Sequence, residues 1–548
     1  MAATGDGSPA PGGGRRAGGS GGRGGTGRRP GGPAGQSGAA AGAPGRGGAQ
    51  ARDAARGRAG ADGRGGNARR GRQASPGPRA GRGPARRADP VRLAAFDVLM
   101  AVEQRAAYAN LMLPALLRER ELIGRDAALA TELCYGTLRG QGTYDAVLAA
   151  CSDRPPDRID PPVLAVLRLG AHQLLATRIA THAAVATSVD LVRAVAGPGP
   201  AGFVNAVLRK VSGRDLAQWV DTVAPPRQAD PAGYLAVARS HPRWITEALA
   251  AALGEDPAGP LTGTEAALAA DNVPPAVTLC AVPGLAQPGE LVAGGTGEPA
   301  RWSPFGAYLA AGDPAAVPAV AEHRAGVQDE ASQLAALALT RAGLPGGPDR
   351  RWLDTCAGPG GKARVLAGLA AQRGARLLAA DLRPHRARLV REAVSVTGAA
   401  RVVVADAAAP PWRDGGFDRV LADVPCSGLG ALRRRPEARW RKSPAEVAAL
   451  GGLQRRLLAA AIGAARPGGV IAYITCSPHV AETREVVADV LASRPGAELL
   501  DAPALLPEVP ELRCPGPEPR YAQFWPHRHG TDAIFLALLR RTGTPGPG

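Results

Sequence analysis

Several features are scarce in this 548-residue chain, and each scarcity argues against a class of protein. No stretch reaches the about 18 consecutive apolar residues that a membrane-spanning helix needs, and the N-terminus lacks the apolar segment of a secretion signal. The seven cysteines are odd in number, irregularly spaced and without a CxxC pair, which argues against a disulfide framework or a zinc ribbon. We therefore expect reduced thiols in a cytoplasmic protein that holds no metal.

Lysine is almost absent, because only Lys210, Lys362 and Lys442 stand among the 66 basic residues. Most of the net charge of +18 comes from residues 1–88, which hold 17 Arg and 3 Asp but no Lys or Glu. This segment has no Val, Ile, Leu, Phe, Tyr, Trp or Cys, so it cannot bury apolar area to offset the entropy of ordering its backbone. We predict a disordered Arg/Gly-rich tail, which either holds RNA phosphates loosely or is a neutral extension.

From Pro90 the pattern becomes that of amphipathic helices. Apolar residues recur at helical spacing in residues 93–100 and 163–174, and further helices are predicted over 126–139, 142–151, 183–195 and 200–211. This predicts an all-α domain over residues 89–224.

The middle of the chain has a mixed pattern. Residues 225–231 are rich in proline and are predicted to be a linker. A small α/β module is predicted over residues 233–345, with a helix opening at 241–244 and a strand over 275–280. Residues 326–333 are expected to cap a helix, and the sequence indicates no chemistry for them.

Beyond residue 346, predicted strands and helices alternate as in a Rossmann-like α/β domain, here over residues 346–543. Such sheets bind ligands at the carboxyl ends of their parallel strands, so we expect the chemistry to gather there. The predicted strands are 351–355, 376–381, 401–405, 417–422 and 469–475, and the helices between them are 362–372, 384–397 and 443–465.

A glycine turn follows the first of these strands, in Trp352-Leu-Asp-Thr-Cys-Ala-Gly-Pro-Gly-Gly-Lys362. The glycines at 358, 360 and 361 let a ligand approach the backbone and permit positive φ. The next helix directs its free N–H groups and its dipole at that ligand. Many cofactor sites share such a turn, and an ordinary strand–helix turn looks the same, so the turn does not identify a ligand by itself.

Acidic residues close the next three strands. Asp381 is placed to accept hydrogen bonds from ribose hydroxyls, and Asp406 or its neighbours would meet an adenine edge. Asp423 closes the strand over 417–423 and runs into Pro425-Cys-Ser-Gly-Leu-Gly430. Any one of these acids would serve as a helix N-cap equally well. Three in register after a glycine turn favour a nucleoside cofactor.

Two cysteines also lie at strand ends. Cys426 follows the fourth strand, and Cys476 ends the run Gly469-Val-Ile-Ala-Tyr-Ile-Thr-Cys-Ser-Pro478. A lone cysteine in an apolar strand is usually a small buried hydrophobe, whereas two at strand ends, each followed by Ser, indicate reactive thiols near a ligand. Cys356, before the glycine turn, is expected to pack rather than attack.

Three segments together resemble the RNA cytosine-5 methyltransferases: Leu353-Asp-Thr-Cys-Ala-Gly-Pro-Gly-Gly-Lys362, Asp423-Val-Pro-Cys-Ser-Gly428 and Thr475-Cys-Ser477. Glu132-Leu-Cys-Tyr-Gly-Thr-Leu-Arg139 and Gly202-Phe-Val-Asn-Ala-Val-Leu-Arg-Lys210 resemble the NusB-like RNA-binding domain. With that domain, the resemblance narrows to the bacterial 16S rRNA methyltransferase B subfamily.

Two positions depart from the family pattern. Ala357-Gly358 stands where the family usually has two alanines, and Asp532-Ala-Ile-Phe535 stands where Asp-Gly-Phe-Phe is common. We still expect the last strand to pair at the edge of the sheet.

The resemblance implies S-adenosylmethionine as cofactor and a cytosine of 16S rRNA as substrate. Cytosine carbon 5 does not take a methyl group unaided, but a thiolate that adds to carbon 6 makes carbon 5 enamine-like. The resemblance assigns this attack to Cys476, and Cys426 would assist release of the product. Asp423 would hydrogen-bond the base near ring nitrogen 3. Lys362 would either lower the pKa of a thiolate or orient cofactor and base. The residues expected at the cofactor are Cys356, Ala357, Gly358, Pro359, Gly360, Gly361, Lys362, Asp381, Asp406 and Asp423.

A basic run follows the first reactive cysteine. Its cations and its aromatic ring fit phosphate contact and base stacking by an RNA whose target base has left its stack, and a solvated charge run is the alternative. The residues expected to contact RNA are Arg433, Arg434, Arg435, Arg439, Trp440, Arg441 and Lys442.

Other readings stay open. The alternatives are a 5-methylcytosine methyltransferase acting on another RNA such as tRNA, a DNA cytosine methyltransferase with the Pro-Cys cysteine as nucleophile, and a catalytically silent RNA-binding assembly factor. The second cysteine and the helical front domain speak against DNA, and the intact glycine turn and thiols speak against a silent factor. We expect a monomer.

Overall fold

The computed structural model describes residues 88–543, except residues 294, 296 and 311. Residues 1–87 of the predicted tail lie outside the described residues, so the disorder and RNA contacts expected there stay predictions. Among the helices that are described, none is long and apolar enough to cross a membrane.

Seven helices share one apolar core in the N-terminal part, which confirms the all-α prediction. Pro90 occupies the first helical position, where its missing N–H is not needed. The Asp89 carboxylate caps this helix by accepting hydrogen bonds from the backbone N–H groups of Val91 and Arg92. The helices are α1 (Pro90–Arg105), α2 (Ala109–Glu119), α3 (Gly124–Cys151), α4 (Pro161–Ala176), α5 (Thr181–Ala196), α6 (Ala201–Val211) and α7 (Leu216–Val223).

Helix α3 is a single helix of 28 residues, where the sequence predicts two shorter helices. The predicted break is wrong because Gly140 and Gly142 lie under aromatic rings rather than in a turn. A Cβ on Gly140 would come within 2.3 Å of the Tyr144 ring, and one on Gly142 within 2.4 Å of the Trp440 ring. Packing of these rings against the backbone offsets the about 1 kcal/mol by which glycine disfavours a helix.

The predicted linker lies between α7 and the next helix, although its last residue, Pro231, already begins that helix. Three helices and a small antiparallel sheet of order β2-β3-β1-β4 follow. These elements are α8 (Pro231–Ala238), α9 (Arg243–Leu253), α10 (Thr262–Asp271), β1 (Val277–Ala281), α11 (Pro288–Leu291), β2 (Gly297–Pro299), β3 (Gly306–Leu309), α12 (Pro318–Ala321) and β4 (Ala325–Val327).

Helices α8 to α10 do not have a core of their own. Their apolar residues pack against Leu429, Leu432, Trp525 and Ala533 from the C-terminal part of the chain. The predicted domain bounds at residues 88, 224, 233 and 345 therefore stay predictions.

The C-terminal part confirms the predicted Rossmann-like α/β class. The main path of its sheet has the order β10-β12-β9-β8-β5-β6-β7, and the five strands from β9 to β7 in that order are parallel. The elements are α13 (Glu330–Arg341), β5 (Arg351–Asp354), α14 (Gly361–Gln372), β6 (Arg376–Asp381), α15 (Pro384–Val394), β7 (Ala400–Val404), β8 (Phe417–Asp423), α16 (Pro444–Ala464), β9 (Ala465–Thr475), α17 (Arg484–Ser493), β10 (Ala497–Leu500), β11 (Ala522–Gln523), α18 (Pro526–His529) and β12 (Phe535–Arg541).

The sequence predicts that the last strand, β12, pairs at the edge of the sheet. That prediction is wrong, because β12 lies between β9 and β10. It pairs antiparallel with both neighbours, with Phe535 opposite Thr475 and Leu539 opposite Leu499. Residues 535–539 are all buried, and such a continuous apolar run suits a strand that is covered on both faces. The sheet is therefore mixed, with its parallel strands on one side and the antiparallel pair on the other.

Candidate active site

The glycine turn joins β5 to α14 and leaves the start of that helix open. Gly360 has a φ of 115°, and a Cβ there would lie 2.6 Å from the Cβ of Ala393. Within the described part of the chain, no side chain hydrogen-bonds to cap the N-terminus of α14. Its first backbone N–H groups are therefore available to a polar or anionic group in the turn.

Asp381 is buried beside this turn and holds it. Its Oδ2 accepts a hydrogen bond from the Gly358 backbone N–H at 3.0 Å, and its Oδ1 accepts one from the Arg383 N–H at 2.9 Å. A Cβ on Gly358 would lie 2.4 Å from Asp381 Oδ2. Glycine at position 358, where the family usually has alanine, therefore permits the hydrogen bond between the Gly358 N–H and Asp381.

Two side chains that the sequence did not single out make the surface beside the turn suitable for a nucleoside cofactor. Gln328 is buried, and neither atom of its amide has a hydrogen-bond partner in residues 88–543 as described. This amide lies 3.3 Å from where a Cβ on Gly361 would stand. Leu382 exposes 61% of its surface next to Asp381, and could cover an aromatic ring. Because a buried amide without partners is costly, the residues present fit a ligand with polar and aromatic parts.

Three other residues near these strand ends have different surroundings. Asp406 is exposed, and its Oδ1 accepts a hydrogen bond from the Ala408 N–H at 2.9 Å within a turn; no helix begins there, so it is not the helix N-cap that the sequence left open. Cys356 packs against an apolar cluster, and burial raises the pKa of its thiol to about 12. Burial and the nearby Asp423 carboxylate raise the pKa of Asp354 to about 8.

The two cysteines predicted to be reactive meet at the end of the sheet. Parallel pairing of β8 and β9 places Asp423 opposite Ile474, so the residues after both strands leave at the same edge. The Sγ atoms of Cys426 and Cys476 lie 3.3 Å apart, although the residues are 50 positions apart in the chain. Both thiols are half-buried, so a reactant can still reach them.

The surroundings of the two thiols are not equivalent. Their mutual hydrogen bond and burial raise the pKa of Cys426 well above the ordinary range of a thiol. The same hydrogen bond lowers the pKa of Cys476 against the effect of burial, and the Lys362 cation acts in the same direction. Either sulfur could donate this hydrogen bond, and the two opposite pKa directions favour Cys426 as the donor and Cys476 as the acceptor.

Lys362 links the glycine turn to the thiol pair. Its Nζ donates hydrogen bonds to Asp423 Oδ2 at 2.8 Å and to Ser332 Oγ at 3.3 Å. Burial by itself would lower the pKa of Lys362, but the Asp423 carboxylate outweighs it and holds the pKa above its ordinary value. Lys362 therefore stays charged beside the two thiols.

A buried carboxylate, which the sequence did not single out, contacts the segment that follows Cys426 and reaches the one that follows Cys476. Glu482 Oε1 accepts hydrogen bonds from the Ser427 N–H at 2.7 Å and from Gln454 Nε2 at 3.2 Å. Its Oε2 accepts one from Ser427 Oγ, which lies 3.1 Å from Ser477 Oγ. The only sequence signal was the serine that follows each cysteine.

The basic run after Cys426 does not form the open RNA surface that the sequence predicts. Arg439 is fully buried and donates hydrogen bonds to Asn272 Oδ1 and to the backbone oxygens of Arg139, Ser240 and Asp271. For Arg439 the prediction of RNA contact is therefore wrong, because its guanidinium joins α3, α10 and the segment that follows the reactive cysteine.

Arg433 and Arg434 are also engaged within the protein. Both guanidiniums pair with Asp329 and Asp532, at N–O distances between 2.7 and 2.9 Å. The predicted RNA contact of Arg433 is wrong because this side chain is buried, whereas Arg434 is partly exposed and its RNA contact stays a prediction. The cluster ties the start of α13 to the segment that precedes β12.

The rest of the run is partly accessible. Arg441 donates to the backbone oxygens of Val102, Ala106 and Ala107, so its donors too are engaged by protein. Arg435 is exposed, and its guanidinium lies 5.1 Å from the centre of the Tyr108 ring. Trp440 is 37% exposed, and Lys442 is partly exposed. For Arg435, Trp440, Arg441 and Lys442 the RNA contact stays a prediction.

A mixed sheet with this strand order, an open glycine turn after β5 and acids at the following strand ends are typical of α/β enzymes that bind a nucleoside cofactor. Among the described residues, no group of three or more His, Cys, Asp or Glu side chains could hold a metal ion.

Comparison with known proteins identifies the family. The 16S rRNA methyltransferase RsmB/F family model matches residues 344–540, and the NusB family model matches residues 89–213. The putative methyltransferase Rv1407 of Mycobacterium tuberculosis is 52% identical over 82% of this chain and 96% of its own length. The ribosomal RNA small subunit methyltransferase B of Pseudomonas putida is 36% identical over 82% of this chain and 98% of its own.

Two further relatives extend the comparison. The probable ribosomal RNA small subunit methyltransferase B of Bacillus subtilis is 30% identical over 83% of this chain and 99% of its own. The crystal structure of PH0851 shares the fold, with a TM-score of 0.66 at 22% identity over 83% of this chain and 99% of that one. The chain belongs to the 16S rRNA methyltransferase RsmB/F family, and it is an S-adenosylmethionine-dependent rRNA methyltransferase.

Proposed function

We propose that this enzyme methylates carbon 5 of a cytosine in small-subunit (16S) rRNA, through a covalent bond between Cys476 and carbon 6 of the base. The observation that carries the proposal is the pair of thiols, 3.3 Å apart, with Lys362 and Asp423 beside them. Methyl transfer to an oxygen or an amine requires no thiol, whereas transfer to cytosine carbon 5 requires a nucleophile at carbon 6.

Cys476 acts as the nucleophile because its pKa is the one that the surroundings lower. Its thiolate forms a bond to carbon 6, the double bond between carbons 5 and 6 opens, and carbon 5 becomes nucleophilic. Asp423 hydrogen-bonds the base near ring nitrogen 3, and the Lys362 cation behind it offsets the negative charge that develops on the ring.

Cys426 assists release of the product. Once carbon 5 carries the methyl group, its hydrogen must leave as a proton while the bond between carbon 6 and sulfur breaks. Cys426 gives its proton to the departing Cys476 sulfur and takes up the proton from carbon 5. The Cys426 thiol is thereby restored, and the proton on Cys476 then passes to solvent.

S-adenosylmethionine supplies a methyl group on a positively charged sulfur, which is the electrophile this chemistry needs. The turn from Cys356 to Lys362 would hold it through backbone groups, with Asp381 at the ribose and Asp406 near the adenine. Asp423, at the end of β8, borders both the cofactor and the base. The buried Gln328 amide and the exposed Leu382 support the same placement.

The match of residues 89–213 to the NusB family supports RNA as the partner of the N-terminal helices. Trp440 and Arg435 are the exposed residues of the basic run that remain suited to base stacking and phosphate contact.

Trapping on RNA that contains 5-fluorocytosine tests the covalent step. Fluorine cannot leave carbon 5 as a cation, so elimination stops and the adduct persists in a denaturing gel. We expect an adduct with the wild type, with Cys426→Ala and with the control Cys280→Ala, and none with Cys476→Ala. An adduct that still forms with Cys476→Ala would show that the nucleophile has been misassigned.

Mapping of 5-methylcytosine tests the substrate. In 16S rRNA from a strain that lacks the protein, one site should lose its methyl group, and expression of the wild-type chain should restore it. Loss of a tRNA site with unchanged 16S rRNA would favour another RNA substrate instead.

A further inference from the structure

Glu482 is in a position from which one carboxylate reaches both cysteine-bearing segments. It ends a short turn after β9, residues 480–482, and it is fully buried. Its oxygens accept hydrogen bonds from the backbone N–H and the hydroxyl of Ser427, the residue after Cys426. Through Ser427 it reaches Ser477, the residue after Cys476, because the two hydroxyl oxygens lie 3.1 Å apart.

The direction of this hydrogen-bond chain follows from the chemistry of its members. A carboxylate only accepts, so the single hydroxyl proton of Ser427 goes to Glu482. Ser477 must then donate its own proton to Ser427, and its oxygen accepts from the His479 N–H at 3.2 Å. Every hydroxyl proton therefore has one place to go, which gives both Cys-Ser segments a defined position.

Glu482 is itself held from two sides. Gln454 on α16 donates one amide N–H group to Glu482 Oε1 and another to the backbone oxygen of Pro425 at 2.9 Å. The Tyr473 hydroxyl donates to the backbone oxygen of Glu482 at 2.8 Å. The carboxylate is therefore fixed relative to Pro425, just before Cys426, and to strand β9, just before Cys476.

The charges around the thiols are divided between the two sulfurs. The largest side-chain influences on Cys426 come from Cys476, Glu482 and Asp423, and each of them raises the pKa of its thiol. The Tyr473 hydroxyl interacts with both Cys426 and Glu482. Cys476 has the Lys362 cation in addition to Asp423, Asp532 and Cys426. A buried negative charge on the Cys426 side makes a second negative charge there unfavourable.

We propose that Glu482 is a positioning residue of the active site, which holds the two thiols in register and keeps the proton of the pair on Cys426. The proposal rests on the proposed function, because the division matters only if Cys476 attacks and Cys426 gives up a proton. Glu482 touches neither reacting atom, and it acts through Ser427, Ser477 and its charge.

The test measures which thiol reacts, and it does not depend on turnover. Full-length protein is treated with iodoacetamide between pH 6 and 9.5, and alkylation at each cysteine is followed by peptide mass spectrometry. In the wild type we expect Cys476 to react more than 10-fold faster than Cys426 at pH 7. In Glu482→Gln this preference should fall at least 5-fold, with the Cys426 profile displaced to lower pH.

Three further variants separate charge from structure. Glu482→Asp keeps the charge, so it should retain the preference for Cys476. Ser427→Ala keeps the carboxylate and breaks the chain, so it should retain the preference but lower kcat about 10-fold with little change in KM. The control Glu330→Gln alters another buried carboxylate, which accepts from the Ser303 N–H at 2.6 Å and from the Tyr308 hydroxyl, and it should leave both thiol profiles unchanged.

Unaltered thiol preference in a folded Glu482→Gln protein would overturn the proposal, and so would an equal change in Glu330→Gln. If Glu482→Gln does not fold, retention of the preference in Ser427→Ala together with lowered kcat supports the proposal, and unaltered kcat overturns it. If neither the wild type nor any variant forms 5-methylcytosine in RNA, while the thiol preference is intact, the proposed function would be contradicted instead.

Discussion

Lys362 donates a hydrogen bond of 2.8 Å to Asp423, and this contact joins the first turn of α14 to the end of β8. A cation from the glycine turn is thereby placed at the strand end from which the chain runs on to Cys426. Because Lys362 is one of only three lysines in the chain, its charge can be tested with few confounding substitutions.

Substitution of Lys362 by Met should raise the pKa of Cys476, because a nearby cation favours the thiolate and an unpaired Asp423 opposes it. The thiolate of Cys476 exists above its pKa and is lost as the pH falls through it. The pH midpoint of Cys476 alkylation should therefore move upward, and kcat/KM at pH 7 should fall about 100-fold.

Lys210→Met is the matched control, because Lys210 is exposed at the end of α6. It should leave the alkylation midpoint of Cys476 unchanged. An unaltered midpoint in Lys362→Met would mean that Lys362 orients the cofactor or the base and does not lower the pKa of the Cys476 thiol.

The second prediction concerns Arg439, whose removal should lower the stability of the fold. It is fully buried, burial lowers its pKa only to about 10, and it remains a cation at neutral pH with four hydrogen-bond partners. Arg439→Ala leaves those partners unpaired, so stability should fall by about 3–5 kcal/mol. Thermal unfolding followed by circular dichroism measures the loss.

Arg435→Ala removes a neighbouring arginine that is exposed over the Tyr108 ring. Its cost should stay below about 1 kcal/mol, which is the range of an exposed cation–π contact. Equal melting temperatures for the two variants would contradict a structural role of Arg439.

The parts of the site that could be predicted from sequence follow from local pattern and one rule of geometry. Strands β5 to β9 were predicted because each is a short apolar run bounded by Gly or Asp. Parallel strands end at one edge of the sheet, so residues that follow β8 and β9 were expected at the same edge. The approach of Cys426 to Cys476 is the result of that rule.

The parts that could not be predicted depend on partners that are distant in sequence. A run of arginines has the same pattern whether it faces solvent or carboxylates, and Asp329 lies more than 100 positions before Arg433. Gly142 looks like a helix breaker until the Trp440 ring is found against it. Glu482 is one acid among many until Ser427 and Ser477 are brought to it by the sheet.

The glycine turn provides a third prediction. Alanine at position 360 would have to adopt a φ of 115° and would place its Cβ 2.6 Å from that of Ala393. The strain should be about 1–3 kcal/mol, so calorimetry should show binding of S-adenosylmethionine weakened about 5-fold to 150-fold. Gly202→Ala, on an exposed face of α6 with no atom within 4 Å of the new Cβ, should keep the wild-type affinity. Equal affinities would mean that the turn does not hold the cofactor.

Asp354 makes stability depend on pH. Burial raises its pKa to about 8, so the folded protein keeps a proton that the unfolded chain releases near pH 4. The favourable contribution of the protonated carboxyl is full below the unfolded pKa and is lost as the pH rises through the folded pKa. Between pH 5 and 8 the wild type should therefore lose up to about 1.4 kcal/mol per pH unit through this group.

Asp354→Asn removes the ionisation and keeps the shape. The variant should melt close to the wild type at pH 5, and its advantage over the wild type should grow steadily up to pH 8. Asp406→Asn, an exposed carboxylate just after strand β7, should run parallel to the wild type across the same range. If stability depends on pH in the same way for Asp354→Asn and the wild type, the buried carboxyl gains compensating hydrogen bonds when it ionises. Without such bonds, the cost of desolvating the charge must make the stability of the wild type fall with pH.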